Sequence, residues 1–216
     1  MNTIVERFNK IKSNINLLKP VKTVNIIAVS KTFPINHIQP LVDTGHNHFG
    51  ENKVQEAVSK WSQIKSQNQD LKLHMIGGLQ SNKAKDAIKI FDYIHSLDSQ
   101  KLADVLAKHQ IILNKKLKYF IQVNIGNELQ KSGIPVSELD AFYNYCINEK
   151  KLEILGLMVI PPNDKDSKKY FTSLNELNTS LALQELSMGM SSDYIDAVSC
   201  GATFVRVGSS IFGNRS

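Results

Sequence analysis

The segment IIAVSKT, residues 26–32, is typical of a buried strand that ends on a lysine. Four consecutive apolar residues, three of them β-branched, favour a strand covered on both faces, as in a parallel sheet. Lys31 follows where this strand should end, and Pro34 interrupts the backbone before the next helical pattern. An amine that loses part of its hydration there becomes a nucleophile toward aldehydes. The alternative is a lysine whose side chain extends into solvent.

Eight alternations of strand and helix extend outward from this segment, after one amphipathic helix that Pro20 ends. This pattern indicates a parallel sheet and favours an α/β fold, a single (β/α)8 TIM-type barrel with an extra N-terminal helix, in one domain spanning residues 1–216. An open doubly wound sheet is the alternative, but the glycine fingerprint of dinucleotide-binding folds is missing after the first strand. The predicted strands are residues 26–32, 48–50, 73–76, 93–97, 119–125, 154–160, 185–188 and 204–207, and the predicted helix N-caps are Ser81, Ser99 and either Ser191 or Ser192.

The formal net charge of +6 comes almost entirely from lysine, since arginine occurs only at Arg7, Arg206 and Arg215. Nucleic-acid-binding proteins usually concentrate their charge and include arginine and aromatic residues, so scattered lysines favour a solvated surface or an anionic small ligand. No apolar run approaches the roughly 20 residues that span a bilayer, and residues 1–20 lack a signal-peptide core. The two cysteines suggest no disulfide framework. We expect a cytoplasmic protein that binds neither nucleic acid nor membrane.

The carboxyl ends of the strands meet at one face of a barrel, where TIM barrels place their active sites. Lys31 is the candidate nucleophile at these ends. The segment SMGMS, residues 187–191, and the turn Gly208-Ser209-Ser210 follow the last two strands, where barrels commonly bind phosphate. Arg206 shares a strand face with Gly208. An arginine within a strand usually needs an anionic or polar partner. Arg206 therefore either pairs with a carboxylate inside the barrel or lies under the ring of a ligand whose phosphate binds at Gly208.

Other polar side chains give weaker signals. His46 and His48 share one strand face, and a His-x-His pair can bind metal, but His74 is the only further candidate ligand and no carboxylate cluster accompanies them. We expect no metal. Glu51 follows a strand, where it could act as a general base or as the partner of a helix dipole.

Eight motifs are distributed along nearly the whole chain: AVSKT (28–32), FGENKVQE (49–56), HMIGGLQSNK (74–83), QVNI (122–125), KSG (131–133), GLM (156–158), LSMGMS (186–191) and VRVGSSIFG (205–213). Together they resemble the pyridoxal-phosphate homeostasis protein family, the short YggS/PROSC-type proteins. Leu73, Gly78 and Gly126-Asn127 depart from the usual pattern of that family, which affects loops rather than the lysine or the phosphate turns.

This resemblance implies a barrel similar to the N-terminal domain of bacterial alanine racemase. It implies that pyridoxal 5′-phosphate is bound to Lys31 as an internal aldimine, a Schiff base. It further implies that an arginine faces the pyridine nitrogen and keeps it unprotonated, which makes the ring a poorer electron sink. The implied contacts are Ser187, Gly208 and Ser209 to the phosphate, Arg206 to the ring nitrogen, and Asn52 and Met188 along the pocket.

Two functions of different classes fit the resemblance. The first is a pyridoxal-phosphate-binding protein without evident catalysis, which stores or buffers the cofactor or delivers it to apo forms of enzymes that depend on it. The second is a fold-type III amino-acid racemase, which needs a second base that alanine racemase places with the help of a second β domain.

Two features favour the binding protein. The chain ends soon after the eighth predicted strand, which leaves no room for that second domain and suggests a monomer. The segment Met158-Val159-Ile160 is apolar where the racemase stacks a histidine on the ring. A Schiff-base aldolase acting on a phosphorylated sugar is a third hypothesis, but it would require an acid–base carboxylate next to the lysine.

Overall fold

Eight parallel strands close into a barrel in the structure, a computed structural model that describes residues 3–128, 130–162 and 166–213. The strands of the chain are β1 (Asn25–Val29), β2 (His48–Glu51), β3 (Lys72–Met75), β4 (Tyr93–Leu97), β5 (Lys118–Asn124), β6 (Ile134–Pro135), β7 (Glu153–Met158), β8 (Glu185–Ser187) and β9 (Phe204–Val207). β1 closes the barrel by pairing with both β2 and β9, and β4 pairs with β5. This closure confirms the predicted (β/α)8 architecture and excludes the open sheet.

Helices surround the barrel, and the extra N-terminal helix is present as predicted. This first helix, Thr3–Leu17, buries Ile4, Phe8, Ile11 and Ile15 along one face. The helices are α1 (Thr3–Leu17), α2 (Ile35–Val42), α3 (Val54–Gln67), α4 (Ala84–Ile90), α5 (Gln100–Leu113), α6 (Leu139–Asn144), α7 (Ser167–Ser180), α8 (Tyr194–Ser199) and α9 (Ser209–Phe212). Among the described residues, none of these helices combines the length and the apolar character needed to cross a membrane.

The apolar residues 26–29 of β1 are explained by burial on both faces of this strand. Ile27 packs inside the barrel with Phe120 and Phe204, whereas its neighbours Ile26 and Ala28 belong to the larger core between the strands and the helices. Side chains alternate between these two cores along a strand, so no position of β1 can be polar without a buried partner.

Several local features differ from the sequence prediction. β6 and α9 were not predicted, because β6 has only two residues and α9 begins inside a glycine–serine turn. Ser99 caps α5 as predicted, since its side chain accepts a hydrogen bond from the backbone N–H of Leu102. The other predicted caps are wrong: Ser81 starts a short 3₁₀ turn instead. Asp193, not Ser191 or Ser192, occupies the N-cap position of α8.

Candidate cofactor-binding site

A cavity of about 570 Å³ lies at the carboxyl ends of the barrel strands. Lys31, Asn52, Arg206, Gly208 and Ser209 all line it, so the structure brings together most of the residues that the sequence suggested. The complete lining is Val29, Lys31, Phe33, Asn52, Ile76, Ile160, Met190, Ser191, Ser192, Arg206, Gly208, Ser209 and Gly213.

Ser187 and Met188 do not line the cavity, contrary to their expected contacts. Both are fully buried. Met188 packs into the core between the strands and the helices, since it alternates with Ser187, whose hydroxyl lies beneath Arg206. Ser191 lines the cavity instead. The signal for Ser191 was present in the segment SMGMS, but the strand register that separates Ser187 from Ser191 could not be obtained from that segment alone.

The turn that carries Lys31 is held in an unusual backbone conformation. Thr32 has φ = 68°, which is a rare value for a β-branched residue. Its backbone N–H donates to Glu56 Oε1 at 2.6 Å, and the N–H of Phe33 donates to the carbonyl of Ser30 at 3.2 Å. Lys60 Nζ donates to the same Ser30 carbonyl at 2.9 Å. These contacts fix the backbone on both sides of Lys31, which orients its side chain at the cavity.

A buried carboxylate supports this turn from below. Glu51 Oε1 accepts hydrogen bonds from Ser30 Oγ at 2.8 Å and from Lys60 Nζ and Trp61 Nε1 at 2.9 Å each. Burial raises the pKa of Glu51, and the three donors oppose that shift by stabilising the charged form. Glu51 does not line the cavity, so the structure gives it a supporting role and not that of a general base facing the ligand.

Two backbone amides at the end of β9 converge on one side-chain oxygen. The N–H groups of Gly208 and Ser210 both point at the hydroxyl oxygen of Ser191, at 3.3 and 3.4 Å. Neighbouring backbone amides that converge on one oxygen atom are a common way of binding phosphate. A Cβ atom on Gly208 would lie 3.3 Å from Cβ of Val29, so glycine keeps this corner of the cavity open.

Arg206 places a positive charge at the floor of the cavity. Its guanidinium donates to the carbonyl and hydroxyl oxygens of Ser187 and to the carbonyl of Val159, each at 2.8 Å. Burial lowers the pKa of Arg206 to about 10, so the group stays charged at neutral pH. Within the described part of the chain it forms no ion pair, which removes the alternative of a carboxylate partner inside the barrel.

The histidines considered as metal ligands do not converge on a point. His46 lies within hydrogen-bonding distance of the carbonyl of His48, at 2.8 Å, and His48 and His74 contact each other directly at 2.9 Å. No group of three potential ligands that could hold a metal ion is present among residues 3–128, 130–162 and 166–213.

Known proteins resemble this chain over nearly its whole length. The family model for the alanine racemase N-terminal domain matches residues 7–216. The pyridoxal phosphate homeostasis protein of Pasteurella multocida is 37% identical over 228 residues, which cover 99% of this chain and 98% of that protein. The corresponding protein of Aquifex aeolicus is 39% identical over 199 residues, covering 88% and 86% of the two chains.

Solved structures show the same relationship. PipY of Synechococcus elongatus, solved without and with pyridoxal phosphate, is 37% identical, and the two structures superimpose with TM-scores of 0.87 and 0.86 over 97% of this chain and 100% of PipY. Alanine racemase of Clostridium difficile, at 14% identity, shares only the fold, with a TM-score of 0.74 over 99% of this chain and 57% of that enzyme. The chain therefore belongs to the alanine racemase N-terminal domain family and, within it, to the pyridoxal phosphate homeostasis proteins.

Proposed function

We propose that this chain binds pyridoxal 5′-phosphate as a Schiff base on Lys31 and acts in the homeostasis of that cofactor. The observation that carries the proposal is that Lys31 and the Gly208–Ser209 turn line one cavity, so an aldehyde and a phosphate of a single small molecule can be bound together. The lysine amine adds to the aldehyde carbon, a carbon–nitrogen double bond forms, and water leaves. The PipY structure with pyridoxal phosphate bound supports the proposal.

The residues around the cavity fit the polar groups of this cofactor. Asn52 Oδ1 is buried without a hydrogen-bond partner in the described structure, so it offers an acceptor for a donor on the ligand. The amides of Gly208 and Ser210 donate to Ser191 Oγ beside the cavity, and a phosphate oxygen that took the place of this hydroxyl would accept from the same amides. We assign Ser191 to the phosphate in place of Ser187, since the hydroxyl of Ser187 already contacts Arg206.

Arg206 is proposed to face the pyridine nitrogen. A guanidinium can only donate hydrogen bonds, so a ring nitrogen opposite it must accept and stay unprotonated. The ring is then a weak electron sink, which disfavours carbanion chemistry. Burial without a carboxylate at ion-pair distance supports this assignment, because the more distant Asp193 carboxylate compensates only part of the charge of Arg206.

The composition of the cavity favours a binding protein over a racemase. Among the described lining residues, Lys31 and Arg206 are the only ones with ionisable side chains. Racemisation needs a base on each face of the substrate. We therefore propose a cytoplasmic monomer that stores or buffers the cofactor, or delivers it to apo forms of enzymes that require it, and that does not itself catalyse a reaction.

Reduction of the complex tests this proposal. We expect the protein mixed with pyridoxal phosphate to absorb as a Schiff base, and borohydride followed by peptide mass spectrometry to place one pyridoxyl phosphate group on Lys31. Lys31→Ala should lose the absorbance and keep the fold, whereas Lys53→Ala, which removes an exposed lysine next to the site, should keep both. Labelling at another lysine would refute the assignment, and rapid conversion of L-alanine to D-alanine would show a racemase.

A further inference from the structure

Three histidines form a continuous row through the interior of the barrel. His48, His74 and His95 come from the adjacent strands β2, β3 and β4. His48 Nδ1 lies 2.9 Å from His74 Nε2, and His74 Nδ1 lies 2.9 Å from His95 Nε2. We name these three residues the histidine row. Aromatic rings flank it, since Tyr93 stacks on His74 and Phe120 stacks on His95 with centroids 4.3 Å apart in both pairs.

The histidine row connects two opposite ends of the barrel. His95 Nδ1 lies 2.7 Å from Ser187 Oγ, and that oxygen lies 2.8 Å from the guanidinium of Arg206 at the floor of the candidate cofactor site. At the other end, the half-buried His48 lines a separate cavity of about 750 Å³ near the amino ends of the strands. The row therefore runs from the cofactor site to the far face of the molecule.

The donors and acceptors along the row point in one direction. Arg206 can only donate, so Ser187 Oγ accepts from it, and the hydroxyl hydrogen of Ser187 has His95 Nδ1 as its acceptor. A neutral His95 then carries its hydrogen on Nε2 and donates to His74, and His74 in turn donates through its Nε2 to His48. The reverse direction would leave the buried hydroxyl hydrogen without an acceptor, which is unfavourable.

Each member of the row must be neutral for this pattern to hold, because an imidazolium has two donors and no acceptor. Burial lowers the pKa of His48, and burial together with neighbouring positive charge holds the pKa values of His74 and His95 well below their usual range. His74 and His95 are fully buried, as is Ser187. Ser187 is thus fixed from both sides, by Arg206 above and by His95 below.

We propose that His95 and His74 are positioning residues for the cofactor: by fixing Ser187 they hold the guanidinium of Arg206 against the ring-nitrogen side of the ligand. This proposal rests on the proposed function, since it assumes that the cavity binds pyridoxal phosphate. A fully polar row inside a barrel is less stabilising than an apolar core unless every member is satisfied. Because the row is connected to Arg206 through Ser187, its hydrogen bonds also hold a residue of the candidate cofactor site.

The protonation pattern can be tested without any cofactor. In long-range ¹H–¹⁵N correlation spectra of the unliganded protein near pH 7.5, we expect His48, His74 and His95 to be neutral and to carry hydrogen on Nε2. A hydrogen on Nδ1 of His95, or an imidazolium at His74 or His95, would refute the directed row. This result does not depend on whether pyridoxal phosphate binds.

Matched substitutions test the positioning role. An asparagine amide occupies the place of histidine Nδ1, and a glutamine amide occupies the place of Nε2. His95→Asn therefore keeps a partner for Ser187, whereas His95→Gln removes it. We expect His95→Gln to shift the absorbance maximum of bound pyridoxal phosphate and to weaken its binding about tenfold, the effect of one lost buried hydrogen bond. His95→Asn should restore the wild-type spectrum and affinity.

Two further variants keep the test decisive. Ser187→Ala removes the hydroxyl that joins His95 to Arg206, with a minimal change in volume, and leaves the contact of Arg206 to the carbonyl of residue 187 in place. It should reproduce the spectral shift even if His95→Gln fails to fold. His46→Gln is the control, because His46 contacts the carbonyl of His48 but neither His74 nor His95. A shift in the control equal to that of His95→Gln, or no shift in Ser187→Ala, would overturn the positioning role. Failure of the wild-type protein to bind pyridoxal phosphate would instead remove the proposed function, and the positioning role with it.

Discussion

Lys60 connects the turn of Lys31 to two carboxylates. Its Nζ donates to the carbonyl of Ser30 and to one oxygen each of Glu51 and Glu56, all at 2.9 Å. The side chain of Lys60 is 8% exposed and that of Glu51 is fully buried. Removing one partner of a buried ion pair costs far more than removing an exposed one, because the other charge stays behind without compensation.

We therefore predict that Lys60→Met lowers the free energy of unfolding by about 3 kcal/mol. Urea unfolding of the cofactor-free protein measures this effect. The control is Lys89→Met, which breaks an ion pair with Asp86 whose side chains are 54% and 56% exposed. That variant should change stability by less than about 0.5 kcal/mol. Equal effects of the two variants would contradict the role assigned to Lys60.

A double variant separates the charge from the packing. Glu51→Gln removes the buried negative charge that Lys60→Met leaves behind, so the two substitutions together should cost less than the sum of their separate effects. Additive losses would show that Lys60 acts on the turn through its contacts to Glu56 and to the carbonyl of Ser30, and not through Glu51.

At the scale of elements, two neighbouring glycines after β3 should respond differently to the same substitution. A Cβ atom on Gly77 would lie 2.6 Å from the carbonyl oxygen and 2.9 Å from Cα of Asn52, whereas a Cβ atom on Gly78 would meet nothing within 4 Å. The loop after β3 therefore packs directly on the residue after β2, which lines the cofactor cavity.

We predict that Gly77→Ala displaces Asn52 and weakens the binding of pyridoxal phosphate about tenfold, the loss expected for one polar contact. Gly78→Ala should bind as the wild-type protein does. Fluorescence titration with pyridoxal phosphate measures both affinities, and circular dichroism checks that each variant is folded. Wild-type affinity in Gly77→Ala would mean that the backbone of Asn52 can move to accommodate the new methyl group without weakening the binding of pyridoxal phosphate.

The sequence predicted the elements well where a run of apolar residues is bounded by turn residues on both sides. β4, Tyr93–Leu97, and β9, Phe204–Val207, were predicted with the bounds that the structure shows. The prediction of helix N-caps failed where the same residue type is compatible with two local structures. A serine before a helix can cap it or can bind backbone amides elsewhere, and Ser191 does the second.

Some of the residues that line the cavity could be expected from the sequence, and others could not. Lys31, Arg206 and Gly208 each stand at or next to a strand end, so their position follows from the order of strands alone. The sequence analysis places Ser187 at the phosphate, whereas in the structure its hydroxyl contacts Arg206. That contact depends on the register between β8 and β9, which pairs Ser187 with Phe204 and which the sequence does not specify. The histidine row depends on register across three strands, and no spacing within the sequence specifies it.

At the scale of the whole molecule, the interior of the barrel combines polar and aromatic side chains. Phe120 and Phe204 pack against the histidine row, and the guanidinium of Arg206 contacts the hydroxyl of Ser187. A buried titratable group is stable in only one protonation state, because the interior cannot solvate the charge that a change of protonation would create. The stability of the barrel should therefore depend on pH through its histidines.

We predict that the protein loses stability as the pH falls below about 6.5, the usual histidine pKa. Burial lowers the pKa of His46 to about 4 and also lowers the pKa values of the histidine row. In this range the unfolded chain binds protons that the folded chain does not, so the free energy of unfolding decreases by up to about 1.4 kcal/mol per pH unit for each histidine. Burial raises the pKa values of Glu51 and Asp98, which act in the opposite direction but are fewer.

Urea unfolding of the cofactor-free protein between pH 7.5 and pH 4.5 measures this dependence. His46→Gln isolates one contribution, since a glutamine amide can still donate to the carbonyl of His48 but does not titrate. Between pH 6.5 and pH 4 the slope of this variant should be smaller than that of the wild-type protein by up to about 1.4 kcal/mol per pH unit. Because His46 lies outside the histidine row, its removal changes the slope without disturbing Arg206. An unchanged slope would mean that His46 takes up its proton in the folded state, and that burial does not exclude charge from this end of the barrel.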